Sequence, residues 1–363
     1  MKVSYFIRDN GACGYYRMKL PIETMTSMNG TKSMKITKGD KADHVLKALD
    51  ADIIVIPRLG ETELLEAVLK VKNMGKKIVV DHDDNMFCIS PLSPHYEEAG
   101  IENVKYKMPD GSTLDVWTDG KNIDLKRNKI RQENFKKALK MADMVTTTTE
   151  ILAGIYRGYN TNVQVLPNCV DVNLWKKLPF EKRDNVRICW FGGSSHYEDW
   201  LILQDVLPII MDRYPKVTLV LMGAKFDGTI KKLPKERLEF HQWIHTEAYP
   251  YKAAILDCDI SLIPLVDNGF NRCKSSIKWV EQSALGIPSI TSHVSPYKEV
   301  ATETNGIFIE NNLKEAWVKG ISMLIEDPVL RGKIGGEAYR TVLKHFDINT
   351  QWVKWESAYR SLL

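Results

Sequence analysis

The chain has 363 residues, 44% of them hydrophobic and 26% charged, the balance of an ordinary soluble globular protein. At roughly 150 residues per domain, this length predicts about two domains. Fifty basic against 46 acidic residues leave a formal charge of +4, too mild to point to nucleic acid and no bar to it. No apolar run approaches the roughly 18 residues that span a bilayer. The first nine residues, MKVSYFIRD, become charged too soon for a signal peptide and read as a strand. The six cysteines (13, 88, 169, 189, 258 and 273) form no CxxC pair, which argues against a zinc site or a disulfide framework and for a reducing cytosol.

In chain order, short apolar runs alternate with helical patterns. Residues 3–7 read as a strand, followed by a glycine-containing turn and a helix from Tyr15. Residues 51–57 (ADIIVIP) have a buried-strand pattern, 61–74 helical spacing, and 77–81 (KIVVD) is again strand. Residues 85–122 break this rhythm. They hold Pro91, Pro94 and the turn Pro109-Asp110-Gly111-Ser112, too long for a plain connection, and read as an insertion carrying function. A basic helix over 124–141 follows, with Asp124 placed to cap it. Strand 142–146, helix 150–156 and strand 163–166 close the first half. The polar stretch 178–184 reads as a linker, and then the pattern restarts. Strands are predicted at 186–191, 217–222, 238–243, 260–263, 288–291 and 306–309, with helices at 199–214, 248–256 and 276–285 and two or three more at the end. Strands separated by helices of roughly 10–15 residues mean βαβ units and parallel sheets. The prediction is two doubly wound α/β halves joined near residue 180. Ligands of such sheets bind beyond the C-terminal strand ends, so the expected site is a cleft between the halves.

Four segments could carry chemistry. Gly192-Gly193-Ser194-Ser195-His196 directly follows a strand. A glycine pair there lets backbone N–H groups approach an anion beside a helix dipole; a tight turn that needs glycine only for its backbone is the alternative. Residues 267–281 contain Lys274-Ser275-Ser276, where serines can cap a helix and, with Lys274, offer a phosphate-binding end. Lys278, one turn on, can share a face with Lys274. Glu281, two turns beyond Lys274, can accept two hydroxyl hydrogen bonds, as a ribose would offer. A surface helix with a Lys278–Glu281 pair is the alternative. Asp81-His82-Asp83-Asp84 ends a strand. Its carboxylates can cap a turn, orient an acceptor hydroxyl together with His82, or hold a divalent cation. The basic helix sets Lys126, Arg127, Lys129, Arg131, Lys136, Lys137 and Lys140 against Glu133. This is either a solvated face or a surface for lipid headgroups, a polyanionic glycan or a DNA backbone. Tyr96, Tyr106 and Trp117 in the insertion would suit stacking on sugar or base.

The block from Asp267 to Glu281, continuing Gln282-Ser283-Ala284-Leu285-Gly286-Ile287-Pro288, resembles the donor-site helix of GT-B fold glycosyltransferases. It is closest to the retaining family four and its "family one-like" relatives. Further segments match in order. Gly11-Ala12-Cys13-Gly14-Tyr15-Tyr16-Arg17 is similar to the Gly-rich loop after the first strand. Ala142-Asp143-Met144-Val145, with the threonines 146–149, resembles a second segment. Val165-Leu166-Pro167-Asn168-Cys169-Val170-Asp171 resembles the stretch before the interdomain linker, with Cys169 where that pattern has Gly. The tail with Trp352, Trp355, Glu356 and Tyr359 resembles a helix that crosses back to the first domain. Where the family has a second acidic residue, in an E-x7-E spacing with Glu281, this chain has Cys273, a variant that resembles bacterial and phage-encoded enzymes.

The resemblance implies two Rossmann-like α/β domains facing a cleft: an acceptor domain over 1–180 with helix 346–363, and a donor domain over 181–345. It implies transfer of a sugar from a nucleotide-sugar, UDP-linked, to an acceptor hydroxyl with retention, the leaving phosphate itself helping to deprotonate the acceptor. Gly192, Gly193, Ser194, His196, Lys274, Ser275, Ser276 and Glu281 fall on the donor side, with Glu281 on the ribose. Lys274 and Lys278 would stabilise the departing diphosphate. Gly14, Tyr15, Arg17, Asp81, Asp83 and Asp84 fall on the acceptor side, and His82 lines the sugar pocket as the third catalytic candidate. No cofactor and no metal are implied. The acceptor is a cell-envelope glycan or lipid, or a hydroxymethylated pyrimidine in phage DNA. A sugar-nucleotide epimerase of the same fold and a non-catalytic nucleotide-sugar-binding protein are the alternatives. The expected location is cytoplasmic, either free or peripheral at the inner membrane face.

Overall fold

The computed structural model describes residues 1–9, 11–37, 47, 49–108, 111–181 and 183–363. Pro109 and Asp110 of the predicted turn, and Lys182 of the predicted linker, lie outside the described residues. The chain divides into two compact units, Met1–Pro167 with Trp352–Leu363, and Asn168–Gln351. Within the second unit, Val170 bridges to Asp347, and the Asn349 amide donates to Asp171 at 2.7 Å, so its two ends are tied together.

Unit 1 is built on β1 (Lys2–Ile7), β2 (Lys32–Thr37), β3 (Ile53–Pro57) and β4 (Lys77–Asp81). A separate antiparallel hairpin follows, β5 (Val104–Lys107) with β6 (Thr113–Trp117), and then β7 (Met144–Thr147) and β8 (Val163–Val165) complete the main sheet. The sheet order is β2-β1-β3-β4-β7-β8, every pair parallel. Central β3 buries Ile53, Ile54, Val55 and Ile56, because helices cover both faces of a parallel sheet and leave no polar side. The helix Ile348–Arg360 brings Trp355 and Tyr359 into unit 1 as buried residues.

Unit 2 repeats the plan with β9 (Val186–Gly192), β10 (Val217–Gly223), β11 (Leu238–His241), β12 (Ile260–Ile263), β13 (Ser289–Ser292) and β14 (Ile307–Ile309). Their order is β11-β10-β9-β12-β13-β14, again all parallel. Ile188, Trp190, Leu219, Leu221, Leu262 and Ile290 of these strands share one core with Leu207, Ile210, Trp317 and Ile321 from the helices. The single helix predicted over 199–214 is two, Tyr197–Leu201 and Leu207–Arg213. Pro208 explains the break: it has no N–H to donate, and its ring collides with the carbonyl four residues back in a continuous helix.

The sheet orders locate the crevices. In doubly wound sheets ligands bind where the strand order reverses. In unit 1 that point lies at the C-terminal ends of β1 and β3, and in unit 2 at those of β9 and β12.

Candidate functional sites at the strand ends

In unit 2, β9 ends on Gly192, where a Cβ would come within 2.6 Å of the Trp190 ring, so the turn admits no side chain. Gly193 is exposed with open space at its Cα, and Ser194–His196 form one 3-10 turn. His196 Nδ1 lies 2.7 Å from Asp199 Oδ2. Asp199 Oδ1 accepts from the Val266 N–H at 2.8 Å and from the Asn271 side-chain amide at 3.1 Å. One buried carboxylate thus ties the turn after β9 to the loop after β12. Burial works to raise the Asp199 carboxyl, but the His196 hydrogen bond and charge and the Val266 N–H outweigh it and hold the carboxyl below its usual range. Desolvation, with Lys278 beside it, pulls the His196 imidazole down to about 3, so the ring is neutral at physiological pH.

The helix Ile277–Ala284 buries Trp279, Val280, Glu281, Gln282, Ser283 and Ala284, which overturns the surface-helix alternative. Glu281 Oε2 accepts from the Tyr249 hydroxyl at 3.2 Å. The predicted serine cap is absent: Ser276 holds the N-cap position without a side-chain bond, and Ser275 Oγ accepts from the Asn168 amide at 3.0 Å. Lys274 precedes the helix in extended backbone, so its relation to Lys278 and Glu281 is not one of helical turns as predicted. Its ammonium lies 4.5 Å from the Phe270 ring centroid, and that of Lys278 lies 5.7 Å from Trp190. Desolvation lowers Lys278 to about 8 against the pull of Asp199, and Lys274 deepens the shift. The fold therefore gathers two cations, a neutral histidine and an open glycine turn at one strand end, a setting that favours an incoming anion.

In unit 1, Asp9 Oδ1 accepts from the N–H groups of Gly11 at 2.9 Å and Gly14 at 3.2 Å. A Cβ on Gly14 would lie 2.0 Å from the Asp9 carbonyl oxygen, so this tight loop requires glycine. Gly14–Lys19 form a π-helical turn, in which Tyr15 is half-buried against Tyr16 and Arg17 is buried. Arg17 forks onto Asp81 at 3.1 and 2.7 Å and also donates to the Leu166 carbonyl. Thr146 Oγ1 donates to Asp81 at 2.6 Å. Arg17 and Asp81 are thus a buried, hydrogen-bonded strut between the first helical turn and the sheet, turned toward each other. Asp83 bonds Arg58 at 3.1 Å, and Asp84 lies 3.7 Å from the same guanidinium. Burial opposes the charge of Asp83, but Arg58, His82 and Arg17 outweigh it and hold its carboxyl well below the usual range. His82 is buried with its ring 4.6 Å from Phe135 and 6.2 Å from Tyr156, and its Nδ1 accepts from the Asp84 N–H at 3.3 Å. Burial, then the charge of Arg58, pulls His82 down to about 3. Each of the two carboxylates Asp81 and Asp83 meets an arginine.

Asp199, Tyr249 and Arg58 contact the candidate residues His196, Glu281 and Asp83, and sequence reasoning missed them. Asp199 had a signal, three residues after His196 at the start of a helix. Arg58 had a weaker one, as the residue that follows a buried strand; its φ of +49° is strained for a side chain of that size and sits at the switch point. Tyr249 had none, because only the fold brings it to Glu281.

Residues 185–327 match the family described as "Glycosyl transferases group 1". Among solved structures, HepE from Anabaena in complex with UDP aligns with a TM-score of 0.64 at 16% identity, covering 99% of this chain and 100% of that one. Sucrose-phosphate synthase from Thermosynechococcus elongatus aligns at 0.65 and 14% identity, covering 100% and 99%. A glycosyltransferase from Rickettsia africae aligns at 0.67 and 12% identity, covering 99% and 98%. Among curated proteins no sequence matches the chain. Two parallel six-stranded sheets in two units, aligned end to end with these proteins, define the GT-B architecture. The match to the group 1 glycosyltransferases lies within the second unit of this fold.

Proposed function

We propose that unit 2 binds a UDP-sugar and that the enzyme transfers the sugar to a hydroxyl of an acceptor held by unit 1. The carrying observation is the arrangement at the β9 end: the Gly192-Gly193 turn, the low-pKa ammonium of Lys278 and the buried Glu281 on the following helix. Glu281 takes the ribose hydroxyls. Lys274, Lys278 and the N–H groups near Gly193 and Ser194 meet the diphosphate, while His196, neutral and braced by Asp199, serves as a hydrogen-bonding group. Cleaving the sugar–phosphate bond places charge on the departing diphosphate, and fixed cations and amide dipoles stabilise it as it forms. The transfer proceeds with retention, a diphosphate oxygen taking the acceptor's proton. His82, Tyr15, Asp83 and Asp84 contact the acceptor; Gly14, Arg17 and Asp81 shape and brace its site.

The acceptor in this reading is a cell-envelope glycan or lipid, reached from the cytoplasm by a peripheral enzyme; no described helix is long and apolar enough to cross a membrane. A hydroxymethylated pyrimidine in DNA is the second reading, favoured by the exposed Lys126, Arg127, Lys129, Lys137 and Lys140 of the helix Leu125–Met141.

Titration calorimetry with UDP and UDP-sugars tests the donor assignment. Glu281→Ala is expected to weaken UDP binding at least tenfold, the scale of one to two lost charge-assisted hydrogen bonds. Unchanged affinity would remove Glu281 from the ribose. Isomerised donor formed without any acceptor would assign an epimerase instead.

A further inference from the structure

His196 and Asp199 stand three residues apart just after β9, and their contact decides which nitrogen of the ring carries the proton. Asp199 Oδ1 is occupied by two donors, the Val266 N–H and the Asn271 side-chain amide. Oδ2 meets His196 Nδ1 at 2.7 Å. An ionised carboxylate only accepts, so Nδ1 must donate and therefore holds the proton. The imidazole is neutral in these surroundings and has a single N–H. That N–H points at Asp199, which leaves Nε2 with a bare lone pair. Both partners are held in place: His196 donates its backbone N–H to the Gly193 carbonyl at 3.1 Å, and Asp199 is buried. Nε2 has no hydrogen-bond partner among the described residues and is not enclosed, so it meets the surface at the β9 end. The ammonium groups of Lys274 and Lys278, whose charge reaches the ring, lie over Phe270 and Trp190.

We propose that His196 Nε2 accepts a hydrogen bond from a hydroxyl of the donor's sugar, and that Asp199 is the positioning residue that fixes this direction. A diphosphate at neutral pH offers only acceptors, and two lone pairs facing each other repel. Nε2 is therefore closed to the phosphates that Lys274 and Lys278 attract. What fits it is an O–H, and beyond the diphosphate a nucleotide-sugar carries its hydroxyls on the sugar. Ribose hydroxyls are the competitor, and in the reading above they fall to Glu281. A site built to accept from a hydroxyl discriminates against a donor in which that group can no longer donate, because the ring nitrogen then stays unpaired. The inference deepens the donor assignment and rests on it: within a strand end otherwise suited to anions, His196 reads the sugar.

Long-range proton–nitrogen NMR of the full chain, isotope-labelled at histidine, reads the tautomer. The His196 proton is expected on Nδ1, and in Asp199→Asn on Nε2. Asparagine forces that exchange, because its oxygen must stay on the Val266 and Asn271 donors and its amide nitrogen then faces Nδ1. Calorimetry follows with UDP, UDP-glucose and UDP-galactose, and with versions of both hexoses in which one sugar hydroxyl at a time is fluorine. For the parent, one fluorinated position in the better-bound series is expected to weaken affinity about fivefold, the scale of one neutral hydrogen bond. His196→Phe is expected to erase that difference and to leave UDP itself within about twofold. Asp199→Asn is expected to narrow it, since an N–H donates to hydroxyl and fluorine alike. A proton on Nε2 in the parent overturns the proposal. So does a folded His196→Phe that weakens UDP as much as the UDP-hexose or keeps the fluorine penalty. A parent that binds UDP but neither hexose, or binds every fluorinated analogue as well as its hexose, overturns it too. Failure to bind UDP at all would instead overturn the donor assignment.

Discussion

Lys278 is half-buried, and the partial desolvation of its ammonium makes its proton a reporter. Desolvation lowers its pKa from 10.5 to about 8, so near pH 8 a substantial fraction of the free protein carries a neutral amine. A diphosphate favours the ammonium form. UDP binding at pH 8 is therefore expected to take up a proton, and affinity to fall as the pH rises further, whereas near pH 6.5 the uptake vanishes. Calorimetry in buffers of different ionisation enthalpy reads this directly, and Lys278→Met should abolish it. The stability linkage runs the other way. Between about 8 and 10.5 the unfolded chain holds the extra proton, so this group alone makes stability rise with pH in that window. His82 and His196, both near 3, give no step in donor binding around pH 6.5. Arg17 and Asp81 behave differently, being buried and satisfied by each other. Asp81→Ala leaves a buried guanidinium without its paired carboxylate and is expected to cost about 3–5 kcal/mol of stability in chemical denaturation. A loss below 1 kcal/mol would show that water reaches the pair.

Among the elements, the helix Leu125–Met141 follows its sequence signals closely. Asp124 caps it, with Oδ1 accepting from the Arg127 N–H at 2.8 Å. Asp124→Ala is expected to cost about 1 kcal/mol, seen as a lower denaturation midpoint with unchanged slope. The strand β2 shows the opposite case. Its sequence KSMKIT carries two lysines and one buried apolar residue, Ile36, because it is the sheet's edge. A half-exposed edge strand has no apolar run to betray it, and none was predicted over 32–37. The helix Ile277–Ala284 lies between these extremes. Its place and length were legible, but the spacing from Lys274 to Lys278 imitates a helical turn that the backbone does not make. Lys274 instead follows the 3-10 turn Asn271–Cys273 in extended backbone, with φ −63° and ψ 161°.

For the whole molecule, ligand binding should register as global stability, because a donor held by several strand-end loops binds only the folded chain. UDP at a hundred times its dissociation constant is expected to add about 2.7 kcal/mol, read as a rise in melting temperature. A flat response across nucleoside diphosphates and their sugars would leave the strand-end site of unit 2 without a ligand. The two α/β halves, nearly all the strands of both sheets and the GT-B resemblance were legible from the chain, since alternation of buried strand and amphipathic helix is local information written in short windows of residues. The glycine turns could be read for the same reason, as a backbone that passes close to another atom admits no side chain wherever it lies. The partnerships were not legible. Arg17 meets Asp81 across 64 positions and Val266 meets Asp199 across 67, while Tyr249 reaches Glu281 across 32. Those distances close only when strand order is set, and strand order depends on how whole faces bury against one another. Composition and periodicity could therefore name the charged groups, but packing chose which of them neutralise each other and which stay poised for an anion.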